Sequence, residues 1–274
     1  MCIYYDITTS NKAFEFLLDE LGFCSEDLIM EFYVNCNNDI ELFWERNKHH
    51  IENIDINQVR FVAFHVTGSL DDCCEINTFG VRNLQYVLSH NTKLSCLLQE
   101  CGISFNIEKR TMSIGNTIYN IDFDYYCNCR IKSSFDEKLK SVAHRVFYDF
   151  CVDGFMYNDY IESYGTDIHK RPEFIRTLID LSDEAQKLDA YWKAKSKPYK
   201  VVFYATAEQI HKFTFGELNR NSLPYTEYEQ NVIKKWMLIN AVDRAFEPCR
   251  ECFIYIRDDA YIPANQIIRC EKMS

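Results

Sequence analysis

The chain is predicted to be an α+β protein. Short runs rich in Val, Ile, Phe and Tyr are interspersed with amphipathic helical stretches, and they follow no regular strand–helix–strand rhythm. With 274 residues, 47% hydrophobic and 15% aromatic, the chain has material for a substantial core. Eight Gly and five Pro argue against long flexible linkers, and we find no repeat at a period of about 20–50 residues.

Taken in order, residues 10 to 50 predict three helices. Ser10 is a candidate cap for AFEFLLDELGF, in which Phe14, Phe16, Leu17, Leu18 and Leu21 form an apolar face. Ser25 is a candidate cap for DLIMEFYV, and DIELFWERNKHH reads as the third helix. The expected organisation is an N-terminal helical segment, 1–57, followed by one domain, 58–274.

From Val59 the pattern changes. VRFVAFHV reads as a strand, and Ser69 is a candidate cap for a helix in SLDDCCEINTFGV that stops at Gly80. NLQYVLSH and TKLSCLLQECGI read as a helix pair or one broken helix. ISFNIEKRTMSIGNTIYNIDF alternates and turns at Lys109-Arg110 and Gly115-Asn116, as hairpins do. FDEKLKSVAHRVFYDFCVDGF is expected to be one amphipathic helix, and RPEFIRTLIDLSDEAQKLDAYWKAKS is mostly helical, with Pro172 in a first turn. YKVVFYAT reads as a central strand, and TEYEQNVIKKWMLINAVDRAF as a long helix capped by Thr226. ECFIYI and IPANQIIRCE are two further strand-like runs.

A net charge of −11 repels phosphate backbones and anionic lipids, which argues against a non-specific nucleic-acid coat; a local patch on an enzyme remains compatible with it. The N-terminus lacks a secretory pattern and no stretch approaches eighteen apolar residues. The expectation is a cytoplasmic protein whose thirteen Cys are mainly reduced, small core hydrophobes, with no membrane partner. The pairs Cys127/Cys129 and Cys249/Cys252 are candidate zinc ligands. They lie roughly 120 residues apart, and the second runs directly into FIYI, so no metal is expected. No Walker loop, G-x-G-x-x-G, G-x-S-x-G, H-E-x-x-H or kinase motif set is present.

Two segments carry a family likeness. FHVTGSLDDCCEINTFGVRNL resembles the opening motif of ADP-ribosyltransferases of the His-x-Thr kind, in which a strand bearing His-x-Thr leads to a short helix and a Gly-apolar pair, here Gly80-Val81. CRECFIYIRDDAYIPANQII looks like the closing segment of DarT-type nucleic-acid ADP-ribosyltransferases. Glu251 opens an apolar strand there, and Ile262-Pro263 with Ile267 follow. The likeness rests on about 45 residues. It implies a split two-sheet β core with surrounding helices, NAD as co-substrate, and mono-ADP-ribosyl transfer by a bacterial toxin or phage-defence effector. The implied acceptor is an RNA or DNA base, with an antitoxin or inhibitor protein as a second partner.

The same likeness supplies the expected site. Glu251 would stabilise the oxocarbenium-like ribosyl cation and accept the acceptor's proton. His65 would hold a ribose hydroxyl, the backbone of Val66 the carboxamide, and Thr67 a hydroxyl contact or the adjoining turn. Tyr204 in VVFYAT is either the aromatic wall for nicotinamide or one tyrosine among 18. Arg82, or else Lys170 or Arg171 in GTDIHKRPEF, is either the pyrophosphate partner or a surface charge. That stretch, with His169, is either a substrate loop or a plain helix N-terminal turn. The other readings are a protein-directed transferase, an NAD glycohydrolase, an RNA 2′-phosphotransferase-like enzyme, or a non-catalytic binding protein with a decayed transferase fold.

Overall fold

Local capping decides where most helices begin. The computed structural model describes residues 2–128, 131, 133–163, 168–216, 218, 223–247 and 251–273. A short strand β1 (Ile3–Tyr5) precedes α1 (Ser10–Leu21), α2 (Ser25–Met30), a π-helical turn at Glu31–Asn35, and α3 (Ile40–Ile51). Strand β2 (Val59–Ser69) leads to α4 (Cys74–Phe79), α5 (Leu84–Ser89) and α6 (Lys93–Glu100). Strands β3 (Ile103–Asn106), β4 (Thr111–Ile114) and β5 (Thr117–Asn120) are followed by α7 (Phe123–Asn128), α8 (Ser134–Phe147) and β6 (Asp153–Asn158). Helices α9 (Glu173–Leu178) and α10 (Asp183–Lys195) precede β7 (Lys197–Thr206). The chain closes with α11 (Glu227–Phe246), β8 (Glu251–Tyr255) and β9 (Ile267–Lys272). The fold is α+β, about 50% helix and 22% strand.

Several expected boundaries move by one residue, because the capping oxygen or sulfur sits just outside the helix. Thr9 rather than Ser10 caps α1, and Cys24 rather than Ser25 caps α2. Thr226 caps α11 as expected, within a capping box that includes Glu229. Ser69 stays in β2. Its hydroxyl oxygen accepts the amides of Asp71 at 3.3 Å and Cys73 at 2.8 Å, so it shapes the turn ahead of α4 instead of capping it.

The expected helix through Phe155 stops at Phe147, where the Tyr148 and Asp149 amides both return to the His144 carbonyl. The run after Val152 becomes β6 instead. A buried apolar run this short fits either a helix or a strand by periodicity, and only pairing decides. Gly154 enables that pairing, since a Cβ there would lie 2.7 Å from the Phe64 carbonyl oxygen.

The chain divides into two compact units, the first of residues 1–64, 153–159 and 203–257, the second of residues 65–152, 160–202 and 258–274. In the first, β8 pairs antiparallel with β6, β6 with β2, and β1 lies parallel to β2 through Ile3–Val59 and Tyr5–Phe61. Tyr5, Phe16, Phe61 and Trp236 meet edge to face or tilted in its core, and the Tyr5 hydroxyl donates to the Met237 carbonyl at 2.9 Å. Lys212, 2% exposed, pairs with Glu229 at 2.6 Å and lies over the Tyr225 ring.

The second unit holds the antiparallel sheet β3-β4-β5 and places β9 beside β7. Its core gathers Leu98, Ile103, Met112, Val142, Ile175, Leu188 and Trp192 from helices α6 and α8–α10 and from the small sheet. Among the described residues, no helix is long and apolar enough to cross a membrane.

Candidate functional site

Strand alternation sorts the His-x-Thr segment of the second unit. Side chains two apart on a strand share a face. His65 and Thr67 are half-buried on one face, while Val66 between them is buried on the other. The Thr67 hydroxyl donates to the Gly68 carbonyl at 3.3 Å. Gly68 is constrained by packing, because a Cβ there would lie 2.8 Å from Trp192 Nε1. That indole N–H is buried with no hydrogen-bond acceptor among the described residues.

After Ser69 the chain turns through α4 and ends it at Gly80, whose φ of +82° favours glycine. A Cβ on Gly80 would fall 2.0 Å from the Ile262 carbonyl oxygen. The next residue makes the reason plain. Val81 and Ile262 form an antiparallel bridge, with N–H···O distances of 2.8 and 3.1 Å. The structure thus joins Gly80-Val81 to Ile262-Pro263, residues from the two segments that carry the family likeness.

Arg82 follows directly. Its Nε donates to the Phe79 carbonyl at 2.9 Å, and its guanidinium lies 3.4 Å from the Tyr261 ring centroid and 4.7 Å from that of Tyr86. Of the GTDIHKRPEF stretch, Gly165, Thr166 and Asp167 lie outside the described residues. His169 is 9% exposed and its Nδ1 has no hydrogen-bond partner among them. Lys170 is exposed. Arg171 is engaged with Asp189 at 2.7 Å. Burial raises the Asp189 carboxyl, but hydrogen bonds from Lys193 and Arg171 outweigh it and hold the group below the usual carboxylate range.

Glu251 and Tyr204 belong to the first unit. Glu251 opens β8 with an exposed side chain, in register with Asn158 at the end of β6. The Asn158 amide donates to Glu251 Oε2 at 3.3 Å. The residue after Asn158 is anchored in turn: Arg244 of α11, 5% exposed, grips both oxygens of Asp159 at 2.6 and 2.7 Å and lies over the Tyr157 ring. Tyr204 is half-buried, edge-on to Tyr4 at 5.9 Å and 5.8 Å from the Arg60 guanidinium.

Asn158, Arg244 and Tyr261 went unread in the sequence. Asn158 and Glu251 are 93 positions apart, Arg244 and Asp159 are 85 apart, and no spacing motif links such pairs.

Only three of the eleven described cysteines, all of them free thiols, are buried (Cys36, Cys73 and Cys252); four are half-buried and four exposed, so the expectation that they mainly fill the core does not hold. Burial pushes the Cys36 thiol up to about 11 and the Cys73 thiol to about 12. Cys129 and Cys249 lie outside the described residues, and no set of three or more His, Cys, Asp or Glu is placed to hold a metal among the described ones. A separate surface pocket between α8 and α9 is lined by Lys138, Arg145, Glu173, Arg176 and Asp180 and includes none of the residues read from the sequence. Comparison of the chain with family models, curated proteins and solved structures found no match.

Proposed function

We propose that the chain is an NAD-dependent mono-ADP-ribosyltransferase acting on a nucleic-acid base. The observation that carries the reading is the Val81–Ile262 bridge, closed over a glycine that tolerates no side chain. Through residues 181 positions apart it ties together the two segments that resemble this family. The shared half-buried face of His65 and Thr67, and the solvent-facing carboxylate of Glu251 with Asn158 beside it, support the same reading.

In the proposed reaction the bond between nicotinamide and the ribose carbon breaks, and nicotinamide leaves with the bonding electrons. Positive charge spreads over the ribose ring, where the Glu251 carboxylate stabilises it. An acceptor nitrogen or oxygen then bonds to that carbon and passes its proton to Glu251. His65 holds a ribose hydroxyl through one ring nitrogen. Arg82, already aligned by two rings and the Phe79 carbonyl, presents its remaining N–H groups to phosphate oxygens. An antitoxin or inhibitor fits the toxin or phage-defence role.

The test is to incubate the purified chain with NAD and, separately, DNA, RNA and protein, scoring by mass the gain of one ADP-ribosyl group. Gain on a nucleic acid, with release of nicotinamide, is expected. Gain on protein only would overturn the acceptor; nicotinamide release with no transfer would make the chain a glycohydrolase; no consumption of NAD would overturn the reading.

A further inference from the structure

The charge of the chain is concentrated at one end. Residues 1–57 contain 12 Asp and Glu against 3 Lys and Arg, a net −9 of the total −11. Within this segment, α2 and the π-helical turn after it expose a run of apolar side chains. Ile29 is 44% exposed, Met30 52%, Tyr33 44% and Val34 61%. Their opposite face is fixed in the core by Leu28 and by Phe32, which stacks on Phe246 at 4.6 Å.

The wider π turn separates these two faces. Glu31 and Phe32 point inward, while Tyr33 and Val34 continue the outward row set by Ile29 and Met30. Leu42 of α3, also exposed, lies one turn before Arg46, whose guanidinium reaches across to Glu31. On α3 Leu42 shares a stripe with that arginine, beside the helical turn that carries the apolar row. Exposed Glu26 and Asp27 precede it, and Asp39, Glu41 and Glu45 border it on the α3 side. Lys235 and Lys48 pair with Glu41 and Glu45; Glu26, Asp27 and Asp39 have no ion pair among the described residues.

Contiguous exposed apolar side chains rimmed by charge mark interaction surfaces. The charge selects the occupant. Phosphate backbones and anionic lipids are repelled, and a second copy would bring the same acids face to face. We propose that this surface docks a basic amphipathic helix of a separate protein. Apolar side chains spaced three to four residues apart would cover Met30, Tyr33, Val34 and Leu42, and Lys or Arg would meet Glu26, Asp27 and Asp39. The inference does not depend on the transferase reading, since these side chains lie outside that machinery.

The test uses the full chain and a fluorescent 18-residue peptide of Leu and Lys arranged as an amphipathic helix. Two control peptides accompany it: the same composition with Leu scattered, and the same pattern with Glu replacing Lys. Binding is read by anisotropy at low and raised salt. The patterned Leu/Lys peptide is expected to bind at least tenfold more tightly than either control. Met30→Ser with Val34→Ser is expected to weaken it at least tenfold, and Glu26→Gln with Asp27→Asn and Asp39→Asn to weaken it severalfold and flatten its salt dependence. Asn still caps α3 at position 39, and circular dichroism checks that each variant is folded. Equal binding of a control peptide, or unchanged binding by the Met30/Val34 variant, would overturn the proposal. So would a homodimer that the same variant dissociates, or binding to vesicles containing phosphatidylglycerol that it abolishes.

Discussion

Gly80 is where a single atom matters most. Its backbone conformation excludes ordinary side chains, and its missing Cβ is what lets Val81 reach Ile262. Gly80→Ala is expected to cost at least about 2 kcal/mol, because strain adds to a clash with main chain that cannot swing aside. Gly115 supplies the control: its φ is +57° but nothing lies within 4 Å of its ideal Cβ, so Gly115→Ala should cost only about 1 kcal/mol. Urea midpoints for the two variants check the contrast. Arg82 makes a different kind of contact, through the faces of two rings. Arg82→Ala should lose about 1–2 kcal/mol of stability, and Arg82→Lys should recover only part of it, since an ammonium keeps the charge without the flat stacking surface. Thermal melts of the three proteins test this.

At the scale of elements, the outcome depended on how local the controlling interaction was. Helices α1, α3, α8, α10 and α11 and the hairpin strands β3–β5 were legible because caps, 3.6-residue periodicity and turn residues act within a few positions. Strands β1 and β6 were not. Ile3–Tyr5 is too short to show a period and is a strand through its pairing with β2, while β6 depends on Gly154 fitting under the Phe64 carbonyl. The π-helical turn was likewise hidden, being held by contacts from another helix. Hydrogen bonds from Arg46, aided by Asn35 and Asn47, overcome burial and hold the Glu31 carboxyl down at about 2 from its usual 4.5. The ionised carboxylate therefore stabilises the fold at and above the pH where an unfolded Glu has lost its proton, and that contribution fades as pH falls from about 4.5 towards 2. Glu31→Gln should cost about 2 kcal/mol at pH 7, less than the full shift implies because Arg46 is half-exposed, and the gap should close on acidification. Denaturant titrations at pH 7 and pH 3 measure it.

For the whole molecule, composition spoke to class and only motifs spoke to chemistry. The high apolar content and irregular element order were enough for α+β. The net charge alone concealed its own distribution, with most of it on residues 1–57. Of the candidate site, the local parts were readable: His65 and Thr67 on one strand face, Gly80 as a helix stop, Glu251 at a strand start. The supports for those parts were not, because Asn158, Arg244 and Tyr261 come from distant positions and ordinary residue types. The central claim is that Glu251 is the carboxylate at a ribosyl cation. It is tested most directly by the rate of nicotinamide release from NAD by the chain and by its Glu251→Gln variant, which keeps the shape and the Asn158 contact while removing the charge. The account predicts a loss of at least about a hundredfold at unchanged thermal stability; a variant that releases nicotinamide at the rate of the parent chain would contradict it.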